Sequence, residues 1–313
     1  MLKIEDLVKT YGRFTAVDHL NLELTQGNIY GFVGPNGAGK TTTMRIAATL
    51  MRADSGNVWV DGINAAEHPV EVRGRLGYMP DFFGVYDNLK VSEYMDFYGS
   101  CYGLSRQERM MRTGELLELV ELQKKKDNYV DSLSRGMKQR LCLARSLIHN
   151  PGLLILDEPA SGMDPRARIE MKGILRTLKE MGKTILISSH ILPELAELCT
   201  HIGIIEKGKM VYSGEVGDIM RRITGKTWLK IEVLSDVEKA VRILREQPST
   251  GEMQVEGQTL EVGFSGGEED LAELLHILVA GEVSVISYAR EESSLEEVFM
   301  EVTKGYEDDL EVE

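Results

Sequence analysis

The nine residues Gly34-Pro35-Asn36-Gly37-Ala38-Gly39-Lys40-Thr41-Thr42 constrain this chain more than any other stretch. An apolar β-type run, Ile29-Tyr30-Gly31-Phe32-Val33, precedes them, and a helical pattern beginning near Thr41 and carrying Met44, Ile46, Ala47 and Leu50 follows. A glycine-rich turn between strand and helix, closed by Lys-Thr, is the setting in which G-x-x-x-x-G-K-[ST] holds a polyphosphate. Gly34, Gly37 and Gly39 permit backbone conformations that a Cβ forbids, so successive N–H groups turn inward around phosphate oxygens. Lys40 adds a mobile cation and Thr41 a hydroxyl for a magnesium ion, while the helix starting there directs its positive dipole end at the anion. Pro35, Asn36, Ala38 and Thr42 complete the expected binding loop.

A second stretch supplies the acids. Leu153-Leu154-Ile155-Leu156 is apolar without interruption, as a strand buried on both faces requires, and Asp157-Glu158 follow at its C-terminal end. In open α/β sheets ligands bind at that end. Asp157 is placed to hold the magnesium that Thr41 also serves, and Glu158 to take the proton of an attacking water. Thr184-Ile185-Leu186-Ile187-Ser188-Ser189-His190 repeats the design, which puts His190 at a neighbouring strand end and within reach of a γ-phosphate.

Around these stretches the pattern divides the chain. Leu2-Lys3-Ile4, Ala16-Val17 and Leu20-Asn21-Leu22-Glu23-Leu24, with a turn at Gln26-Gly27, predict an antiparallel β-layer, and Tyr11 is either an aromatic packed on that layer or a ring stacked on a nucleotide base. A hairpin strand is expected at 57–62 and another strand at 75–80, where Pro80 leaves Asp81-Phe82-Phe83-Gly84 as a loop. Residues 88–126 turn helical, with a Ser105/Glu108 capping box and a solvated Lys124-Lys125-Lys126 end. Leu133-Ser134-Arg135-Gly136-Met137 opens a further helix over 138–148.

Length and charge narrow the function. At 313 residues the chain suggests two domains. Its formal charge of −14 works against non-specific attraction to nucleic acid. The three cysteines, Cys101, Cys142 and Cys199, are widely spaced, and MLKIEDLVK has no secretory pattern, so a reducing cytosol is expected. No run reaches the ~18 apolar residues that span a bilayer.

Tyr11, GPNGAGKTT at 34–42, the loop at Asp81, LSRGM at 133–137, LLILDE at 153–158, SGMD at 161–164 and His190, in this order, resemble an ATP-binding cassette ATPase over roughly residues 1–222. The resemblance implies a P-loop NTPase: a RecA-like α/β core with an antiparallel β-layer and a helical subdomain at about 88–150. It also implies a head-to-tail dimer with two ATP molecules, each phosphate loop facing the partner's signature. On that footing Tyr11 stacks on adenine, Ser134, Arg135 and Gly136 belong to the signature that meets the partner's ATP, Asp164 lies between subunits, and His190 is the switch histidine. Arg135 and Met137 depart from the usual LSGGQ, and Asp81 stands where the family carries Gln. A carboxylate donates no hydrogen bond but still binds water or magnesium, which adds Asp81 to Thr41 and Asp157 as a metal candidate. These departures are similar to ATPases that serve ABC-2-type exporters.

Beyond about residue 225 the motifs stop. Strands at 228–234, 253–255, 260–264 and 283–286 alternate with helices marked by Val237, Ala240, Val241, Leu244 and by Leu271, Leu274, Leu275, Leu278. The order βαββαβ predicts a small ferredoxin-like α+β domain over 226–313, accessory or dimerising. It ends in a helix that opens at Ser294 with Glu297, carries Leu295, Val298, Phe299 and Val302, and runs into an acidic tail from Gly305. The SLEEVF segment is similar to C-terminal ends of ABC-2-type ATPases. The chain is therefore expected to hydrolyse ATP with Mg2+, to pair with itself or a paralogous ATPase, and to drive export through a separate integral membrane permease of ABC-2 type. That would hold it peripherally on the cytoplasmic face of the cell membrane, with no nucleic acid partner. The competing readings are a soluble ABC ATPase acting on nucleic acid or the ribosome, and a regulatory subunit with weak hydrolysis.

Overall fold

The structure is a computed structural model and describes residues 1–82, 84, 86, 88–191, 195, 198–218 and 227–291. The chain forms two compact units, Met1–Val216 and a second beginning at Gly217.

The first unit contains two sheets. Strands β1 (Leu2–Tyr11), β2 (Phe14–Leu24), β4 (Ser55–Val60) and β5 (Ile63–Asn64) form an antiparallel layer in the order β2-β1-β4-β5. The expected fragments at 2–4, 16–17 and 20–24 are thus two long strands, joined at Gly12 and kinked where Asp6 and His19 take left-handed φ values of 51° and 50°. Such irregularities break the alternation that a flat strand would show.

The second sheet runs β10-β9-β3-β8-β7-β6, from β3 (Ile29–Val33), β6 (Leu76–Met79), β7 (Leu153–Leu156), β8 (Thr184–Ser189), β9 (His201–Glu206) and β10 (Lys209–Glu215). All neighbours are parallel except β10 against β9. Every residue of β3, β7 and β8 is buried, as strands covered on both faces must be. Each fully buried Leu or Ile there contributes about 1.5–3 kcal/mol relative to exposure.

Helix α1 (Lys40–Ala47) follows β3. Leu50 does not extend its apolar face: Thr49 turns left-handed at φ 60°, the Leu50 N–H donates to the Arg45 carbonyl (2.9 Å), and the Leu50 side chain is 60% exposed. A backward bond of this span around a left-handed residue is how helices commonly end. After α2 (Pro69–Arg75) come α3 (Val91–Cys101), α4 (Arg106–Leu119) and α5 (Arg135–Leu147). The capping box of α4 forms as expected, the Ser105 N–H donating to Glu108 Oε2 (2.8 Å) and the Glu108 N–H to Ser105 Oγ (3.3 Å). Helix α5 starts three residues before the expected 138, because Ser134 caps it by accepting from the Met137 N–H (3.3 Å). Arg135, Gly136 and Met137 are therefore first-turn helical residues. Helix α6 (Pro165–Glu180), capped by Asp164, fills the stretch between SGMD and β8.

The second unit is a four-stranded antiparallel sheet, β12-β13-β11-β14, made by β11 (Thr227–Val233), β12 (Thr250–Glu256), β13 (Thr259–Phe264) and β14 (Val285–Glu291). With α7 (Val237–Arg245) and α8 (Glu268–Ala280) the order is βαββαβ, the ferredoxin-like arrangement. Strand β14 begins at Val285 rather than 283, since the Val283 N–H donates back to the Leu278 carbonyl (3.0 Å) at the preceding helix instead of to a neighbouring strand. Leu229, Ile231, Leu260, Val262, Leu274 and Leu278 build that core. The expected final helix with Ser294, Leu295, Glu297, Val298, Phe299 and Val302, the acidic tail, and the boundary residues 222–226 lie outside the described residues. Among the described residues no helix is long and apolar enough to cross a membrane.

Candidate active site

The parallel sheet delivers the chemistry to one edge. Strands β3, β6, β7 and β8 run the same way, with Met79 beside Leu156, Leu156 beside Ile187 and Val33 beside Ser189. The residues that follow these strands, from Gly34, Asp81, Asp157 and His190, therefore emerge at the carboxyl ends, where open α/β sheets bind ligands.

The loop of residues 34–42 is fixed from outside as well as by its own turns. Gly37 and Gly39 have φ values of 84° and 107°. A Cβ on Gly39 would stand 2.3 Å from the Ala16 carbonyl oxygen of β2, and one on Gly34 2.3 Å from that of Ile205 in β9. Glycine at these two positions is thus a packing requirement. The Gly208 N–H donates to the Ala38 carbonyl (3.0 Å), and the Ala38 N–H to that of Pro35 (3.2 Å). Pro35, Asn36 and Gly37 form the exposed crest of the loop, and Thr42 is half-buried in α1.

Lys40 is buried, its Nζ donating to the carbonyls of Gly34 (2.6 Å) and Pro35 (3.1 Å) and lying 3.8 Å from Glu158 Oε1. Burial lowers its ammonium pKa, and the charges of Glu158 and Asp157 pull it back up. Asp157 is only 1% exposed. Its Oδ1 accepts from Ser188 Oγ (2.8 Å) and Thr41 Oγ1 (3.2 Å), whereas its Oδ2 is buried with no hydrogen-bond partner among the described residues. Burial raises its pKa above the ordinary carboxylate value, opposed by the Ser188 and Thr41 hydroxyls and reinforced by the negative charge of Asp81. An orphaned carboxylate oxygen beside a threonine hydroxyl is an all-oxygen donor set of the kind magnesium takes. Asp81 is exposed just past β6 and reaches Asp157 through its charge.

Glu158 departs from ordinary backbone geometry, with φ of 50°. Its N–H donates to Ser188 Oγ (2.9 Å), and its Oε2 is 2.8 Å from His190 Nδ1. The His190 side chain is 46% exposed. Lys40, Thr41, Asp157, Glu158 and His190 thus form one connected cluster. Ser188 ties two of its members together and was not among the expected site residues.

Ser134, Arg135, Gly136 and Asp164 form a separate cluster where α5 and α6 begin. Asp164 caps α6 by accepting from the Ala167 N–H (3.0 Å), and a Cβ on Gly136 would stand 3.2 Å from the Ala167 Cβ. The Arg135 guanidinium lies against Gly162, which takes φ of 67°. Buried Gln139 donates to the Ser161 carbonyl (2.8 Å) and strengthens the junction. Among the described residues no hydrogen bond joins residues 134–136 to the 34–42 loop. Tyr11 stands at the tip of the β1–β2 hairpin, 47% exposed, with its hydroxyl on Met51 Sδ (3.0 Å) and the Lys9 ammonium 5.9 Å from its ring centre. Neighbouring Phe14, paired with it across the hairpin, is exposed too.

Comparison with known proteins accounts for both units. A family model described as ABC transporter matches residues 17–161, and one described as the C-terminal domain of DrrA1-3-like ATP-binding proteins matches residues 214–303. The chain is 36% identical to the bacitracin transport ATP-binding protein BcrA of Bacillus licheniformis, over 97% of its own length and 98% of the relative's. It is 32% identical to the linearmycin resistance ATP-binding protein LnrL of Bacillus subtilis, again over 97% and 98%. Against the Nod factor export ATP-binding protein I of Ralstonia nicotianae, identity is 33% over 97% and 94%. Among solved structures, an ATP binding subunit of an ABC transporter superposes with a TM-score of 0.65 at 28% identity, covering 72% of this chain and 93% of that one. The dimeric bacterial ABC transporter cassette MJ0796 gives 0.63 at 26%, covering 69% and 99%.

Proposed function

Because this chain belongs to the ATP-binding proteins of ABC transporters, we propose that it binds and hydrolyses ATP to drive export through a separate integral membrane permease of ABC-2 type. The observation that carries the proposal is the meeting of Lys40, Thr41, Asp157, Glu158 and His190 at one end of the parallel sheet. In this reading the N–H groups of residues 34–42 and the Lys40 ammonium hold the phosphates. Thr41 and Asp157 would hold magnesium, with Asp81 adding negative charge that bears on Asp157. Magnesium, when bound, neutralises charge on the phosphoryl oxygens. Glu158 accepts the proton of the water whose oxygen attacks the terminal phosphorus as the bond from that phosphorus to the bridging oxygen breaks and ADP leaves, and His190, hydrogen-bonded to Glu158, holds that carboxylate in place.

Tyr11 carries the adenine ring. Ser134, Arg135 and Gly136 of a second copy, or of a paralogous ATPase, close on the terminal phosphate, and Asp164 lies at the same subunit junction. The dimeric cassette among the similar structures supports pairing. Residues 1–222 act as the nucleotide-binding domain and residues 226–313 as an accessory or dimerising domain. The export names of the relatives support a permease partner, which would keep the subunit peripheral on the cytoplasmic face of the membrane. Acting on nucleic acid fits less well with a formal charge of −14.

Glu158→Gln tests the reading. It keeps the shape of the side chain and removes its basicity, so turnover falls by about a hundredfold or more while nucleotide binding persists. Single-turnover kinetics beside a nucleotide-binding titration reads both, and hydrolysis near the parent rate rejects the assignment.

A further inference from the structure

We infer that Ser188 is a positioning residue for hydrolysis, setting both the free oxygen of Asp157 and the backbone of Glu158 through a single hydroxyl. The inference rests on the roles proposed above for those two acids.

Ser188 is fully buried near the end of β8. Ile187 pairs with Leu156, so the residue after each strand position, Ser188 and Asp157, stands side by side. A backbone N–H can only donate, so in the 2.9 Å contact with Glu158 the serine oxygen accepts. Its one hydrogen is then committed to Asp157 Oδ1 at 2.8 Å. The hydroxyl's single hydrogen and one of its two acceptor lone pairs are thus used on successive residues of the acidic pair.

Two consequences follow for the chemistry. At Asp157 the serine occupies Oδ1, which also accepts from Thr41, and leaves Oδ2 as the buried oxygen with lone pairs to offer. Partners behind a metal-binding carboxylate orient it in this way. At Glu158 the hydroxyl satisfies the N–H of a residue held at φ of 50°, a conformation uncommon for residues other than glycine. From that backbone the carboxylate reaches both His190 and Lys40. Removing the hydroxyl therefore orphans a part-buried N–H and leaves Asp157 Oδ1 held by Thr41 alone, with no direct loss of any group that touches nucleotide.

A matched pair of substitutions isolates the hydroxyl. Ser188→Thr keeps it and adds a methyl group; Ser188→Val has nearly the same volume and lacks it. The expected result is a kcat about 10- to 100-fold lower for the valine variant than for the threonine variant, with the KM for ATP little changed. The Mg2+ concentration needed for half-maximal nucleotide binding, read under conditions without turnover, rises for valine and not for threonine. In a Glu158→Gln background the valine substitution slows turnover by a smaller factor than in the parent, since one of the two acids it positions is already disabled and only the effect through Asp157 remains. Should the added methyl unfold both variants, Ser188→Ala against the parent protein gives the same comparison. Equal kcat values, within about twofold, for valine and threonine while Glu158→Gln is inactive would overturn the role of Ser188 and leave Glu158 as the base. An active Glu158→Gln would overturn both.

Discussion

At the scale of single residues, the site carries a cost that ligands are built to repay. Burial opposes the ionisation of Asp157, and its Oδ2 has no hydrogen-bond partner among the described residues. Because its folded pKa lies above the unfolded value near 3.8, the folded state holds the proton more tightly. Stability from this group is therefore present below that value and lost as pH rises through the raised folded pKa. Asp157→Asn removes the penalty, and in the absence of nucleotide and magnesium it should stabilise the protein by about 1 kcal/mol near neutral pH while abolishing magnesium-dependent turnover. Urea melts of parent and variant across the acid-to-neutral range provide the check: the gap should widen as pH rises, and a constant gap would contradict the linkage. Of this site, Lys40, Thr41, Asp157, Glu158 and His190 were legible as residue types following apolar runs. Ser188 was not, because its partners are 30 and 31 residues away and become neighbours only through the register of β7 and β8.

At the scale of elements, the phosphate loop is a joint between two sheets. Gly39 abuts β2 through the Ala16 carbonyl, and Gly34 abuts β9 through that of Ile205. Gly37 takes a left-handed φ but has open space around the position of a Cβ. Gly37→Ala should therefore cost only the conformational penalty, about 1 kcal/mol. Gly39→Ala adds a backbone collision and should cost about 3 kcal/mol and lose nucleotide binding. Chemical denaturation orders the two, and equal costs would refute the packing argument. Sequence pattern found the buried strands because runs of three to five residues without a charge, closed by polar or turn residues, have few other uses. It carried no expectation for α2, α6, β9 or β10. Signals for α6 were present in Asp164, Pro165 and the spacing of Met171, Ile174, Leu175 and Leu178, but the motif reading stopped at Asp164. The bulged β1 was expected only at 2–4, and β2 as two fragments, because backbone kinks interrupt the alternation on which strand assignment relies.

At the scale of the whole molecule, the apolar core beneath the phosphate loop and the core of the ferredoxin-like unit have no residue in common. A chain ending at residue 222 should consequently fold and bind ATP, with losses confined to assembly or regulation. Circular dichroism together with a fluorescent-nucleotide titration tests this, and an insoluble fragment that binds nothing would show that the units depend on each other. The break between units was visible where nucleotide motifs gave way to a second βαββαβ pattern. The structure divides the chain at Val216 and Gly217, ahead of the boundary expected from the motifs. The signature residues illustrate a different limit: their usefulness to a partner copy depends on an assembly that no local pattern encodes.

The left-handed backbone at Glu158 has a consequence for selection. Glycine bears φ of 50° without strain and asparagine tolerates it better than glutamate does, yet neither is a base. Heat resistance and turnover therefore rank the alleles of this codon in opposite order. A library enriched by heating alone would drift toward glycine or asparagine at 158 and accumulate sturdy, silent enzymes, while selection for ATP hydrolysis would restore the strained glutamate.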